Sequence, residues 1–180
     1  MKLDKFTIGK RYGKALFELT EEKGTSSSVY EELLQVREVF QGVPELGAVL
    51  TDSRLSPDKK KGIFKELSSG YSEIVQNFLG VTFDTGRMID LPFIIDDFEE
   101  RYDEKMGIVR GTVTTAVPLT NEQKNQIAVG LAQRLAVKTV DLEEKVDKEI
   151  VGGVIVEANH QIIDGSIKSQ LTKLRNLLKQ

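Results

Sequence analysis

The chain has no cysteine. Disulfides, cysteine-ligated zinc and thiol nucleophiles are therefore excluded. It has no excess of basic residues either: the formal net charge is −3 and the pI about 5.4. Nucleic-acid binders carry surplus Lys and Arg to replace phosphate counterions, so DNA or RNA is not the expected partner. No apolar run approaches the ~20 residues a helix needs to cross a bilayer, so no direct membrane insertion is expected. The N-terminus is basic but lacks the apolar stretch of a secretory signal and the Ser and Arg richness of a transit peptide. There is a single histidine, His160, which falls in an expected hairpin turn with no aligned nucleophile or carboxylate. No dinucleotide fingerprint, phosphate loop, nucleophile elbow or metalloprotease motif occurs. No cofactor, metal or catalytic residue is expected.

What is present is an ordinary globular mixture, 39% hydrophobic and 29% charged, over 180 residues. That length allows one domain or two small ones. Glycines at 24, 42, 70, 86 and 107 each follow a stretch of helical periodicity, as glycines just past a helix end do. The first stretch carries Ile8, Tyr12, Ala15, Leu16 and Leu19 on one stripe. The second opens on Ser28 and Glu31, a capping-box spacing, and continues through Val29, Leu33, Val36, Phe40 and Val43. A short helix is expected over 44–50, another from Ser56-Pro57-Asp58, and two more around Ile74–Thr82 and Leu91–Tyr102. Short connections favour antiparallel neighbours, so residues 1–106 are expected to form a bundle of five or six helices.

Beyond Gly107 the pattern changes. Ile108–Val117 alternates and is rich in Val and Thr, which predicts a strand. Thr120 and Gln123 form a capping box ahead of a helix through Ile127, Leu131 and Leu135. Strands are expected at 137–146, 151–158 and 161–163. Asp164-Gly165-Ser166 then opens a last helix with Ile167, Leu171, Leu174 and Leu178 on one face. Residues 107–180 are thus expected to be a small α/β domain, making the chain α+β overall. Residues 1–107 hold 15 Lys or Arg against 20 Asp or Glu, and residues 108–180 hold 10 against 8. The two halves offer different electrostatic surfaces, which suits two different partners.

Three features invite a chemical reading. The acids Asp96, Asp97, Glu99, Glu100, Asp103 and Glu104 could be paired carboxylates or metal ligands, but they lie on one helix among Arg101 and Lys105. A metal site needs oxygens converging on a point, and a solvated helix face is the expectation. Gly152-Gly153 runs straight into a strand, so it marks a bulge or close backbone contact. The last helix carries Lys168, Lys173, Arg175 and Lys179 with no acid among them. Cations favour a helix C-terminus through the macrodipole, and they equally favour an acidic partner.

Read together, several segments resemble one family. Arg11-Tyr12-Gly13-Lys14-Ala15-Leu16-Phe17-Glu18-Leu19 resembles the opening helix of the ATP synthase delta subunits, related to the mitochondrial oligomycin-sensitivity-conferring protein. Val146–Val156, with its glycine pair, and Ile163-Asp164-Gly165-Ser166-Ile167 resemble the C-terminal signature of that family. Thr115–Thr120 is similar to its strand-to-helix junction. Gly13 departs from the family's usual Ala, Lys148 from a frequent Pro, and Asp84-Thr85-Gly86-Arg87 is a loose version of an Asn-rich turn.

The resemblance implies a non-catalytic stator subunit of an F-type ATP synthase, bacterial, at the cytoplasmic face of the membrane. It implies that the helical domain binds the N-terminal helix of an alpha subunit in a groove between its first and fifth helices. The smaller domain would bind the C-terminal helices of the b subunits. The groove residues expected here are Tyr12, Leu16, Phe17, Phe78, Leu79 and Phe83. Tyr12 and Leu16 could serve as core instead, and Phe17 and Phe83, off the main stripes, are the expected exposed anchors. Lys168, Leu171, Arg175 and Leu178 are expected to meet the b subunits. An unrelated two-domain adaptor shares every compositional feature and differs only in the family signature.

Overall fold

The computed structural model describes residues 4–159 and 161–177. It divides into two compact units, residues 1–102 and 103–180. The division falls within the helix that ends the first half, four residues before the expected boundary.

The first unit is helical. It contains α1 (Lys5–Lys23), α2 (Ser26–Gly42), α3 (Leu46–Thr51), α4 (Pro57–Ser68), α5 (Glu73–Asp84) and most of α6 (Leu91–Met106), with a 3₁₀ turn at Met88–Asp90. Apolar residues at helical spacing converge on one core around Leu33, Val36, Val75, Leu79, Leu91, Ile94 and Phe98. All eight Phe and all four Tyr of the chain belong to this unit. Gly24 ends α1 in the left-handed conformation, φ 67°, which glycine adopts without strain.

Helix α2 starts at Ser26, two residues before the expected cap. Ser28 therefore sits inside the first turn, where its hydroxyl donates to the Thr25 carbonyl at 3.0 Å. The hydroxyl of Ser26 instead donates to Glu21 Oε1 at 2.6 Å, tying α2 to α1. The Ser28–Glu31 spacing was a capping-box signature without the box, because the helix begins at Ser26 and Ser28 already lies within it.

The second unit packs a four-stranded sheet against a helix. The strands are β1 (Ile108–Thr115), β2 (Thr139–Val146), β3 (Val154–Ala158) and β4 (Gln161–Asp164), in the order β2-β1-β3-β4. β1 and β2 are parallel and joined through α7 (Asn121–Leu135); β3 pairs antiparallel with β1 and with β4. The capping box of α7 forms as expected, with Thr120 Oγ accepting from the Gln123 amide at 3.2 Å and Gln123 Oε1 accepting from the Thr120 amide at 2.9 Å. Val113, Val140, Leu142, Val156 and Ala158 pack with Leu131 of α7 as the core. A 3₁₀ turn at Lys148–Ile150 precedes β3, and α8 (Ile167–Leu177) ends the described chain. Gly153, at φ 81°, has no room for a side chain: a Cβ there would collide with the Gly165 carbonyl oxygen. His160 lies outside the described residues.

Candidate docking surfaces

Helix α1 buries a narrower and differently placed seam than its apolar stripe suggests. Ile8, Gly9, Gly13, Leu16 and Thr20 face inward, while Ala15 and Leu19 are exposed and Tyr12 is half-buried. The two glycines turn the helix, because only a face without side chains lets α6 come close. A Cβ on Gly9 would lie 2.8 Å from the Phe93 carbonyl oxygen, and one on Gly13 would lie 2.8 Å from Asp97 Cβ. The rest of the stripe forms an open apolar edge. It borders a shallow cavity of about 370 Å³ lined by Ile8, Arg11, Tyr12, Ala15 and Arg87. Arg87 is oriented by a 3.4 Å ion pair to the buried Asp90. Spacing pointed to Tyr12; nothing in it pointed to Arg87, which reaches the cavity from a turn.

Leu16, Phe78 and Leu79, expected in the groove, are buried in the core and offer no surface. Phe17 and Phe83, expected to stand clear, are packed against other rings. Phe17 meets Phe98 of α6 edge to face, with centroids 5.6 Å apart, and Phe83 stacks on Phe64 of α4 at 4.5 Å. Both lie off their own helix's stripe because a second neighbouring helix covers that side, which one helix's periodicity cannot register. Phe83 still borders a second shallow cavity, about 340 Å³, with Leu50, Thr51, Pro57, Lys60, Lys61, Asp84 and Gly86.

The acidic run on α6 is a solvated face only in part: Asp96, Glu100 and Glu104 are exposed as expected. Asp97 and Asp103 are buried. Asp97 accepts from Arg101 Nε at 2.7 Å, and that bond pushes the guanidinium pKa up. Glu99 and Asp96 receive the two ends of the Arg37 guanidinium from α2 at 2.8 and 3.0 Å. Tyr30 donates to Glu99 at 2.6 Å and stacks on Tyr102, with ring centroids 4.5 Å apart. In the second unit, Asp103 holds Arg110 of β1 through two nitrogens, and Arg110 also reaches Asp141 of β2 at 3.3 Å. Asp97 pairs within α6, whereas Asp96, Glu99 and Asp103 join it to α2 and β1. Among the described residues no three His, Cys, Asp or Glu side chains converge as a metal site.

At the end of the second unit, Asp164 and Ser166 start α8. Ser166 Oγ accepts from the Ser169 amide at 3.2 Å, and Asp164 accepts from the Ser169 hydroxyl and from the Ser166 amide. These bonds, the Ser169 hydroxyl foremost, hold the Asp164 carboxyl below its ordinary pKa. α8 then runs with both of its faces in water. Ile167, Leu171 and Leu174 form an exposed apolar ridge, the latter two 55% and 56% accessible. Lys168, Lys173 and Arg175 are exposed, and the described helix contains no acid. Leu178, expected on the same ridge, lies outside the described residues. Val151, expected to open the strand 151–158, lies before β3 instead, an exposed apolar residue with a positive φ of 68° ahead of the glycine pair.

Fold and surfaces define a class: an α+β protein of two units, with apolar residues exposed beside cations on α1 and on α8. Among the described residues no helix is long and apolar enough to cross a membrane. Comparison with known proteins narrows the class. Residues 8–178 match the family model for the ATP synthase delta (OSCP) subunit. ATP synthase subunit delta of Enterococcus faecalis is 50% identical over 99% of both chains. That of Enterococcus hirae is 48% identical over the whole of both. A chain in the mitochondrial ATP synthase of Toxoplasma gondii shares the fold, with a TM-score of 0.69, 22% identity, and coverage of 96% of this chain and 97% of its own.

The chain belongs to the ATP synthase delta (OSCP) subunit family. That family supplies the peripheral stalk, or stator, of F-type ATP synthases, and this chain is a subunit of that complex.

Proposed function

We propose that the chain performs the stator role without catalysis, by holding two larger bodies at two surfaces. The catalytic head experiences torque from the rotor and must be kept from turning with it. A restraint of this kind needs firm interfaces at both ends and no reactive group. The first surface is the open edge of α1. It receives the N-terminal helix of an alpha subunit, whose apolar face lies on Tyr12 and Ala15 with carboxylates toward Arg11 and Arg87. Leu16, Phe78 and Leu79 support this groove from the core. The second surface is α8, where Lys168, Leu171 and Arg175 meet the C-terminal helices of the b subunits. The complex is then peripheral at the cytoplasmic face of the membrane.

The observation that carries this reading is the uncovered edge of α1 at the cavity. Tyr12, half-buried, and Ala15, exposed, border it, where an added helix would cover them. Ala15 tests it, since it is exposed and small. Ala15→Glu leaves the core untouched but puts a bulky charge where the incoming helix must lie. Titration calorimetry of the intact chain with an alpha-subunit N-terminal peptide is expected to show at least about tenfold weaker binding, or ~1.4 kcal/mol. Unchanged affinity would remove the groove from this face.

A further inference from the structure

A β-branched residue rarely adopts a positive φ, because its γ-groups crowd the neighbouring backbone; such outliers collect at working sites. Val151 does so, at φ 68° and ψ −37°. Glycine would make the same turn without strain, and glycine occupies the next two positions. What the strained backbone presents is an apolar side chain 65% exposed to water, directly after the buried Ile150. The following residue is bound to the start of α8. The Gly152 carbonyl accepts the Ile167 amide at 2.9 Å, and a Cβ on Gly152 would press against Ile167 Cδ1 at 2.9 Å. Val151 is therefore chain-adjacent to the N-terminal end of the ridge formed by Ile167, Leu171 and Leu174.

We infer that Val151 is a docking knob continuous with the α8 ridge, and that the occupant of both is an amphipathic helix whose apolar seam is flanked by carboxylates. The inference rests on the second surface of the stator reading, the one assigned to the b subunits. The ridge spacing of i, i+4 and i+7 is that of a helix–helix seam. The sign of the partner follows from charge. Lys168, Lys173 and Arg175 stand exposed along a helix with no acid among its described residues; at its start Asp164 is engaged as the cap, bonded to Ser166 and Ser169, and Glu149 pairs with Lys168 at 3.6 Å. Backbone strain that keeps an apolar side chain in water is retained most simply where a partner covers that side chain.

The test exploits a difference in sign. Val151→Gly relieves the backbone and removes the knob. It is expected to raise the melting temperature of the intact chain by a few degrees and to weaken binding at least about fivefold. Binding is measured by calorimetry against the soluble C-terminal segment of the b subunit of the same synthase. Leu171→Ser, on the ridge, is measured beside it and is expected to bind more weakly too. Unchanged binding by Val151→Gly, with Leu171→Ser weakened, sinks the knob and leaves the α8 surface standing. A lower melting temperature together with weaker binding makes Val151 a structural residue and also overturns the inference. If the wild-type chain does not bind the b segment, or neither variant weakens binding, the second surface itself is wrong and the knob falls with it.

Discussion

At the scale of single residues, Gly13 shows how context reverses a propensity. Inside a helix, glycine costs about 1 kcal/mol relative to alanine, so its presence in α1 reads as a weak point. The structure places Asp97 Cβ and the Ile94 carbonyl oxygen within 2.9 Å of where a Cβ would stand. Alanine would gain propensity and lose the close approach of α6, and overpacking of this kind costs ~1–3 kcal/mol. Gly13→Ala is expected to lower the midpoint of urea unfolding followed by tyrosine fluorescence. A higher midpoint would show that α6 can retreat at little cost. Phe17 and Phe83 carry the same lesson. Each falls off its own helical stripe, and each is covered by a ring from another helix. Ala15 and Tyr12 were legible as members of a stripe; which of them stays open depended on the glycine seam.

At the scale of elements, most helices and strands were legible because their periodicity is strong. The capping box at Thr120 and the break at Asp164-Gly165-Ser166 held, since these bonds form within a few residues of chain. The partners of the α6 acids on α2 were not legible, because they come from a distant helix. Arg37 and Tyr30 lie more than fifty residues from the carboxylates they bind. The Asp164 cap yields a pH dependence. The folded carboxyl titrates below its usual value of 3.8. Its contribution is therefore fully present above about pH 4 and is lost as pH falls through the lower, folded value. Asp164→Ala is expected to melt below the wild type at pH 7, with the gap narrowing below about pH 4. A gap of constant size down to pH 2.5, followed by circular dichroism, would show that the charge of Asp164 does not stabilise α8.

At the scale of the whole molecule, each unit has a core of its own. Stability is then a property of each unit, and one transition need not describe the chain. The distribution of aromatics makes this measurable, because Tyr12, Tyr30, Tyr71 and Tyr102 all belong to the first unit. Tyrosine fluorescence reports that unit alone, whereas circular dichroism reports both. Their thermal transitions are expected to differ, and the Asp164→Ala substitution is expected to move the dichroism curve and leave the fluorescence curve in place. Coincident curves that shift together would show that the two units melt as one.

The sequence by itself determined the α+β class, the passage from helices to strands after Gly107 and the family. These depend on local periodicity, on short-range turn chemistry and on motifs contiguous in the chain. Only the tertiary structure decided which apolar residues are core and which remain open at the surface. It alone showed that Asp97, Glu99 and Asp103 of α6 are held in ion pairs and that Val151 is held outward against its backbone preference. The reason is physical: burial and close approach depend on which distant segment arrives at a face, and a one-dimensional pattern records the face without recording what covers it.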